Sequence, residues 1–488
     1  MFSAQKYQYD RLYGASKDLS FNSLWYNLNG GAIESLTSNF SQWTMMSYVG
    51  RINYGLMDRY LLTASLRYDG SSRLSEGNKW ALFPSAAIAW RITEEDFAKN
   101  LDWLSNLKLR FSYGQAGNTN SVSPYASEGT ISGSVYYPFG TSTSVGNLPA
   151  NIANPMLTWE RTSEYNVGLD FGFLNQRISG NIEYYNRTTN DLLMKRNIPV
   201  HLGYSSVTSN VGSVRNSGFE LQLNTANIMT KNFAWNTTIN LAYNKNEIVS
   251  LADEEDLSNY SIHLQGMRGR YSDKRFIGKP VDTNWTQNTI GVWQLGEEEE
   301  AAKYGCVPGN FKIKDYNNDG KLTDDDYIID GKRTPDWTGG MTNMFKIYDF
   351  DFSFHMYFQA GATQYDRFFE NFALEWNSQN FNNLRTNYWT PENPSNTMGR
   401  PSQMGSRGNI AYEKTDFLKV SYITLGYTLN KRLMSKWGLD NARIYVTVQN
   451  PFILTKFRGL DPEQPDLTNI GDTDGMTMNA LLGVNISF

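Results

Sequence analysis

The residues best suited to chemistry stand close together: Asp315, Asn317, Asp319, Lys321, Thr323 and Asp326, with Gly320 among them. Calcium takes six to eight oxygen ligands. Loops that hold it supply oxygens from positions 1, 3, 5, 7, 9 and 12 and need a glycine at 6 for the sharp turn. On that spacing Asp315, Asn317, Asp319 and Asp326 bind through side chains, Lys321 through its carbonyl, and Thr323 directly or through water. Aspartate replaces the usual bidentate glutamate at position 12, which shortens the reach. A solvated turn rich in Asp, Asn and Gly is the alternative. The expectation is a structural Ca²⁺ that stiffens residues 246–337.

Aromatic side chains surround this stretch. Trp285, Trp293 and Tyr304 precede or flank it, and Trp376, Tyr388 and Trp389 follow in a later segment. Their flat faces could stack on sugar rings as substrate-binding residues, and they could equally pack the loops or meet a partner. Glu297 to Glu300 read as a solvated helix start rather than a second metal site. Cys306 is the only cysteine, so an internal disulfide or a multi-thiolate zinc site is excluded. His201, His263 and His355 are too scattered for a metal cluster. No HExxH, GxSxG, P-loop or GxGxxG pattern occurs, so no enzyme is expected.

The 488 residues carry 44 Lys and Arg against 49 Asp and Glu, a formal charge of −5, which is no footprint for nucleic acid. Aromatics reach 14% while the mean hydropathy is −0.51. No stretch approaches the roughly 18 apolar residues of a spanning helix. The N-terminus shows no basic run followed by an apolar one, which suggests a cytoplasmic protein or a mature or truncated chain.

Period two organises the rest. Met478, Ala480, Leu482, Val484, Ile486 and Phe488 alternate with Asn479, Leu481, Gly483, Asn485 and Ser487. Leu107, Leu109, Phe111 and Tyr113 oppose Lys108, Arg110, Ser112 and Gly114 in the same way. Strands of about 9 to 11 residues with one apolar and one polar face suit a tilted crossing of a bilayer, with lipid outside and a wet lumen inside. Thirteen such strands are expected: 47–56, 60–69, 80–92, 106–116, 161–173, 176–187, 213–225, 232–245, 338–347, 349–360, 415–430, 442–453 and 476–488. Tyr54, Tyr60, Trp80, Trp90, Trp159, Tyr184 and Tyr243 read as an interfacial girdle.

The connections alternate short and long, as in barrels with tight periplasmic turns and large extracellular loops. The long ones fall near 117–160, 188–212, 246–337 and 361–414. Residues 93–104 read as a short packed helix, with Thr93 as N-cap and Phe97, Leu101 and Leu104 as its apolar stripe. An odd strand count leaves residues 1–46 as an extracellular loop segment. It also leaves an edge strand unpaired in lipid, where each orphan backbone group costs several kcal/mol. A further polypeptide pairing with the first strand is therefore expected.

Specific stretches resemble the SusC/RagA family of TonB-dependent outer-membrane transporters. They are Arg67-Tyr-Asp-Gly-Ser-Ser-Arg73, Phe83-Pro-Ser85, Ala89-Trp-Arg91, Leu107 to Asn118, Leu157-Thr-Trp-Glu160, Asn210-Val-Gly212, Arg215 to Glu220, Tyr422 to Tyr427, Gln449-Asn-Pro451 and Gly459 to Glu463. They occur in order over almost the whole chain. The resemblance implies an all-β fold, an antiparallel transmembrane β-barrel of which residues 47–488 are the C-terminal portion, about 13 strands of 22. It implies a plug domain outside this chain, carried by an N-terminal portion as a second polypeptide. It also implies a SusD-like lipoprotein lid, TonB-ExbB-ExbD acting through the plug, and import of oligosaccharides or peptides across the bacterial outer membrane. Similar loops recur in the family, which favours Ca²⁺ at Asp315–Asp326. A non-transporting scaffold in a larger outer-membrane assembly is the alternative function.

Overall fold

The computed structural model describes every residue except 20, 22, 24–26, 200, 202, 205, 375–385, 402–405, 431–433, 435–437 and 465–475. Its large sheet is antiparallel, and its strands are neighbours in chain order. They are β1 (Phe2–Lys17), β2 (Ala32–Leu56), β3 (Tyr60–Ser71), β4 (Trp80–Arg91), β5 (Leu104–Asn118), β6 (Glu160–Phe173) and β7 (Ile178–Asn190). The series continues with β8 (Ser213–Met229), β9 (Phe233–Ser250), β10 (Trp337–Ile347), β11 (Phe350–Ala360), β12 (Phe417–Thr428), β13 (Asn441–Thr455) and β14 (Asn479–Ser487). Each of the thirteen expected spans overlaps a strand of this series.

Two expectations about secondary structure fail. Residues 1–46, read as an extracellular loop segment, instead hold β1 and much of β2, paired from Phe2↔Tyr48 to Lys17↔Ala32. Alternation is weak there because Lys6 and Gln8 share a face with Phe2 and Ala4, so backbone pairing decides. Residues 93–104 do not form the expected helix. A single 3₁₀ turn spans Ile92–Glu94, and the Arg91 side chain pairs with Glu94 (3.3 Å). Phe97 is 67% exposed, so the stripe that would have driven a helix has nothing to pack on.

The chain divides into two compact units. In the first, residues 1–88, 111–165 and 187–213, the β2–β3 turn places Met57 and Asp58 at φ 54° and 53°. An exposed aromatic row runs across β1 to β4: Phe2 against Tyr48 (5.3 Å), and Tyr68 stacked on Trp80 (4.9 Å). Such a row suits a membrane–water boundary. Trp159, expected in the same girdle, is 1% exposed and lies instead in a core with Leu74, Phe83, Val122, Leu157 and Leu193. That core gathers several of the signature stretches. Arg73 lies 4.6 Å over the Trp43 ring and donates to the carbonyls of Thr119 (3.0 Å) and Val122 (3.1 Å). Trp159 Nε1 donates to Lys79 O (2.9 Å), and Asn118 Nδ2 to Glu160 Oε1 (2.9 Å). Asn210 accepts from Thr158 N (2.9 Å) and donates to Thr158 O (2.8 Å). The motif residues thus tie the connections after β3, β5 and β7 into one packed body.

The second unit comprises residues 89–110, 166–186 and 214–488. Here β9 to β14 form a ladder in which Phe233 opposes Ile347 and Tyr445 opposes Gly483. Tyr348 turns β10 into β11 at φ 53°. The register of β12 slips between Val420 and Tyr422, opposite Asn450 at φ 48°. Pro451 cannot donate to a ladder, so Gln449-Asn-Pro451 is a β-bulge signature. One face of these strands exposes apolar side chains, such as Leu425, Ile444, Val446, Leu482 and Val484. Paired charges stand on β5, β6 and β7 and on the opposite face of β11 and β13. Arg110 bonds Asp170 (2.7 Å) and Glu183 (2.7 Å), and Lys108 reaches Asp170 (3.0 Å). Arg443 Nε donates to Asp351 (2.8 Å).

Candidate functional site in the outer loops

Within the second unit, the connections between β9 and β10 and between β11 and β12 fold on their own cores. Small antiparallel pairs, Thr283–Gln287 with Tyr327–Lys332 and Thr289–Val292 with Phe311–Ile313, give them backbone ladders. Val292, Phe311, Ile313, Phe369, Trp389 and Met398 form one buried cluster, drawing side chains from both connections. Leu257, Leu264, Tyr271 and Phe276 form another, against which Trp285 packs.

This packing decides the fate of the aromatic candidates. Trp293 is 3% exposed, stacks on Tyr304 (5.9 Å) and has Lys312 Nζ 4.1 Å from its ring centroid. Trp389 is 5% exposed and donates its indole N–H to Gln294 Oε1 (3.0 Å). Gly309, at φ 88°, comes so close that a Cβ there would lie 2.4 Å from Trp389 Cε3. Both tryptophans are therefore loop core, and no ring face is left for a sugar. Trp285 is half-buried, stacked on Tyr327 (5.8 Å), and lines an open hollow of about 510 Å³. Trp376 lies outside the described residues. Tyr388 is exposed. Sequence reasoning missed the other aromatic residues of the hollow, Tyr365 and Tyr412, because a short β-pair at Thr363–Tyr365 and Tyr412–Lys414 brings them together only in the fold.

The helix start at Glu297–Glu300 forms as read, over Glu298–Lys303. Glu297 accepts from Gln294 N (2.8 Å) and from Lys312 Nζ (2.8 Å), a structural role. Cys306 is buried beside Trp293, and that burial raises its thiol pKa.

The Asp315–Asp326 stretch has the turn its spacing requires, with Asn318 and Gly320 at φ 58° and 77°. Asp315 Oδ2 accepts from Gly320 N (3.0 Å) and from the Tyr304 hydroxyl (3.0 Å), and Oδ1 accepts from Asn318 N (2.6 Å). Burial raises the Asp315 pKa, but these donors outweigh it and hold the carboxyl below its usual range. Burial and the same bond push Tyr304 up to about 12. Asn317 Oδ1 accepts from Asp319 N (3.1 Å) and Asp319 Oδ1 from Lys321 N (2.8 Å). Asp326 is 0% exposed and accepts from Tyr316 N (2.8 Å) and Thr323 N (2.9 Å), while Thr323 Oγ1 caps the turn that follows. A carboxylate has about four lone-pair sites, so Asp326, with one N–H on each oxygen, keeps capacity for a cation. The residue types and the turn fit Ca²⁺. Yet among the described residues no three His, Cys, Asp or Glu side chains gather as a metal-holding group.

On the polar face of the strands, Glu183, Glu220, Gln222, Asn240, His355 and Tyr357 line a second hollow of about 480 Å³. His355 Nδ1 is 2.9 Å from Thr342 Oγ1, and His263 stands edge-on to Tyr316 (4.2 Å). Neither joins a metal pair or a catalytic set among the described residues.

Long antiparallel strands with opposed apolar and polar faces, tight turns, and large folded loops define an outer-membrane β-barrel protein. A family model described as "TonB dependent receptor-like, beta-barrel" matches residues 2–338, and the chain belongs to that family. It is 35% identical over 457 residues to the TonB-dependent receptor SusC of Bacteroides thetaiotaomicron, covering 91% of this chain and 44% of SusC. It is 33% identical over 471 residues to a TonB-dependent receptor of Formosa agariphila, covering 93% of this chain and 47% of that one. A solved structure of the RagAB peptide importer in its open-open state shares the fold. Its TM-score is 0.80 at 23% identity, over 100% of this chain and 52% of that one. The chain is thus an outer-membrane barrel chain of the SusC/RagA type, from a family of receptors rather than enzymes. It spans about half the length of the curated relatives it matches.

Proposed function

We propose that this chain supplies barrel wall and outer loops to an energy-coupled importer that draws oligosaccharides or peptides across the outer membrane. The observation that carries the reading is the 35% identity to SusC across 91% of the chain. RagAB, which shares the fold, is described as a peptide importer. The charged strand faces around Arg110, Asp170 and Glu183 suit the wall of a wet passage. A SusD-like lipoprotein would cover the folded loops as a lid. A plug-bearing portion would fill the lumen and transmit the pull of TonB-ExbB-ExbD. Purification from native membranes, followed by mass spectrometry of the bound polypeptides, tests the arrangement. The reading expects a SusD-like lipoprotein and a plug-bearing segment, whereas assembly or secretion factors in their place would favour the scaffold alternative.

We also propose that Ca²⁺ binds Asp315, Asn317, Asp319, Asp326, the Lys321 carbonyl and Thr323 as a structural ion. It would add charge-balanced coordination to a turn already held by backbone N–H groups. Chelation should speed protease cleavage within residues 246–337 and added Ca²⁺ should reverse it. Identical cleavage with and without chelator would remove the ion from the account.

A further inference from the structure

We propose that the hollow beside Trp285 binds the acidic group of a saccharide, a uronate carboxylate or a sulfate ester. The inference rests on the import reading and narrows its substrate class. Lys274, Arg333 and Arg367 bring three cations to the rim of a space of about 510 Å³, alongside Trp285, Tyr365 and Tyr412. Lys274 Nζ is 3.9 Å from Asp324 and lies 3.2 Å over the Tyr271 ring, and Arg367 is 3.1 Å from Glu370. Arg333 is exposed and has no ion pair among the described residues. The Arg333 guanidinium therefore stands uncompensated at the rim of a concave space, where an anion gains more than on a flat surface.

The remaining lining favours a sugar over a peptide. Thr283, Asn284 and Gln364 offer a hydroxyl and two amides, which both donate and accept as sugar hydroxyls do. Asn284 is buried and its Nδ2 is anchored on the carbonyls of Thr363 (2.8 Å) and Asp330 (3.1 Å), which fixes its orientation. Among the described residues no aliphatic side chain lines the space. It therefore lacks the aliphatic pockets that hold the side chains of many bound peptides. Its volume falls in the range of small-ligand sites.

The test titrates the complex purified from membranes with four ligands at low salt: a galacturonate tetramer, a sulfated galactose tetramer, the neutral galactose tetramer and a tetraglutamate peptide. At least one acidic saccharide should bind about ten-fold more tightly than the neutral one, as expected for charge-assisted bonds, and lose that margin as salt rises. Arg333→Gln, on an exposed side chain, should remove about ten-fold of that affinity, while Arg333→Lys keeps most of it. The acidic saccharide that responds to Arg333→Gln identifies uronate or sulfate as the source of the anion. Equal affinity for neutral and acidic saccharides, no response to Arg333→Gln, or a preference for tetraglutamate would each overturn the proposal. Charge-blind uptake of saccharides in cells would refute this inference alone; absence of any saccharide or peptide uptake would refute the import reading beneath it.

Discussion

Trp159 meets Phe83 edge-on, with ring centroids 5.3 Å apart and planes at 72°. The two rings come from separate signature stretches, and Gly117 of a third lies against both. A Cβ at Gly117 would sit 2.2 Å from Phe83 Cζ and 2.7 Å from Trp159 Cε3. These recurrent residues are thus conjoined by packing, so the motifs that reveal the family describe a core rather than a ligand site.

Gly117→Ala should therefore overpack this core and destabilise it by about 1–3 kcal/mol. The check is the temperature at which the folded protein loses its compact gel mobility in detergent. Pairing the change with Phe83→Leu should recover part of the loss. An unchanged transition in Gly117→Ala would show that the contact is slack.

Asp326 is wholly buried and its carboxylate accepts backbone N–H groups of both Tyr316 and Thr323. Asp326→Ala leaves both donors unpaired in a dry site and should cost the loop about 2–4 kcal/mol. Protease cleavage within residues 246–337 should rise, with the mobility of the barrel strands unaltered. Cleavage at the unmodified rate would count against the turn as the organiser of this loop.

Asp366, in the connection after β11, is 0% exposed; its Oδ1 accepts from Phe369 N (2.9 Å), while its Oδ2 is buried without a hydrogen-bond partner. Burial pushes its pKa up to about 6; nearby Glu413 adds to the rise, and the Phe369 N–H and Arg458 oppose it. A raised pKa means the folded state holds more protons than the unfolded one between about pH 4 and 6. Loop stability should then be full below that window and fall as pH rises through it, by on the order of 3 kcal/mol. Asp366→Asn keeps the acceptor for Phe369 and should flatten the dependence, read as protease sensitivity of residues 361–415 against pH. A slope that survives in the variant would place the titrating group elsewhere.

Sequence and structure agree where one physical rule dominates. Period two located β14 through Leu482, Val484 and Ile486, because a face toward lipid must be uniformly apolar. It failed at β1, where Lys6 and Gln8 fall on the same face as Phe2, so the pairing with β2 is carried by backbone bonds that leave no pattern. Spacing alone also suggested a helix at Phe97, Leu101 and Leu104, yet amphipathic spacing makes a helix only when there is something to bury it against. The site was less legible. Trp293 and Trp389 looked like stacking platforms in a long polar loop, and only the fold shows that the loops build their own core around them. The spacing of Asp315 to Asp326 foretold its turn, since Gly320 must supply the left-handed backbone. Lys274, Arg333 and Arg367 lie too far apart in sequence for any pattern to unite them.

The central claim, that this chain forms part of an importer, is tested most directly by uptake. Labelled oligosaccharides and peptides are offered to cells that have or lack the gene for this chain, with and without a proton uncoupler. The account predicts accumulation of at least one ligand that disappears on deletion, returns on complementation and stops with the uncoupler. Accumulation of every ligand at the same rate in deleted cells would contradict it.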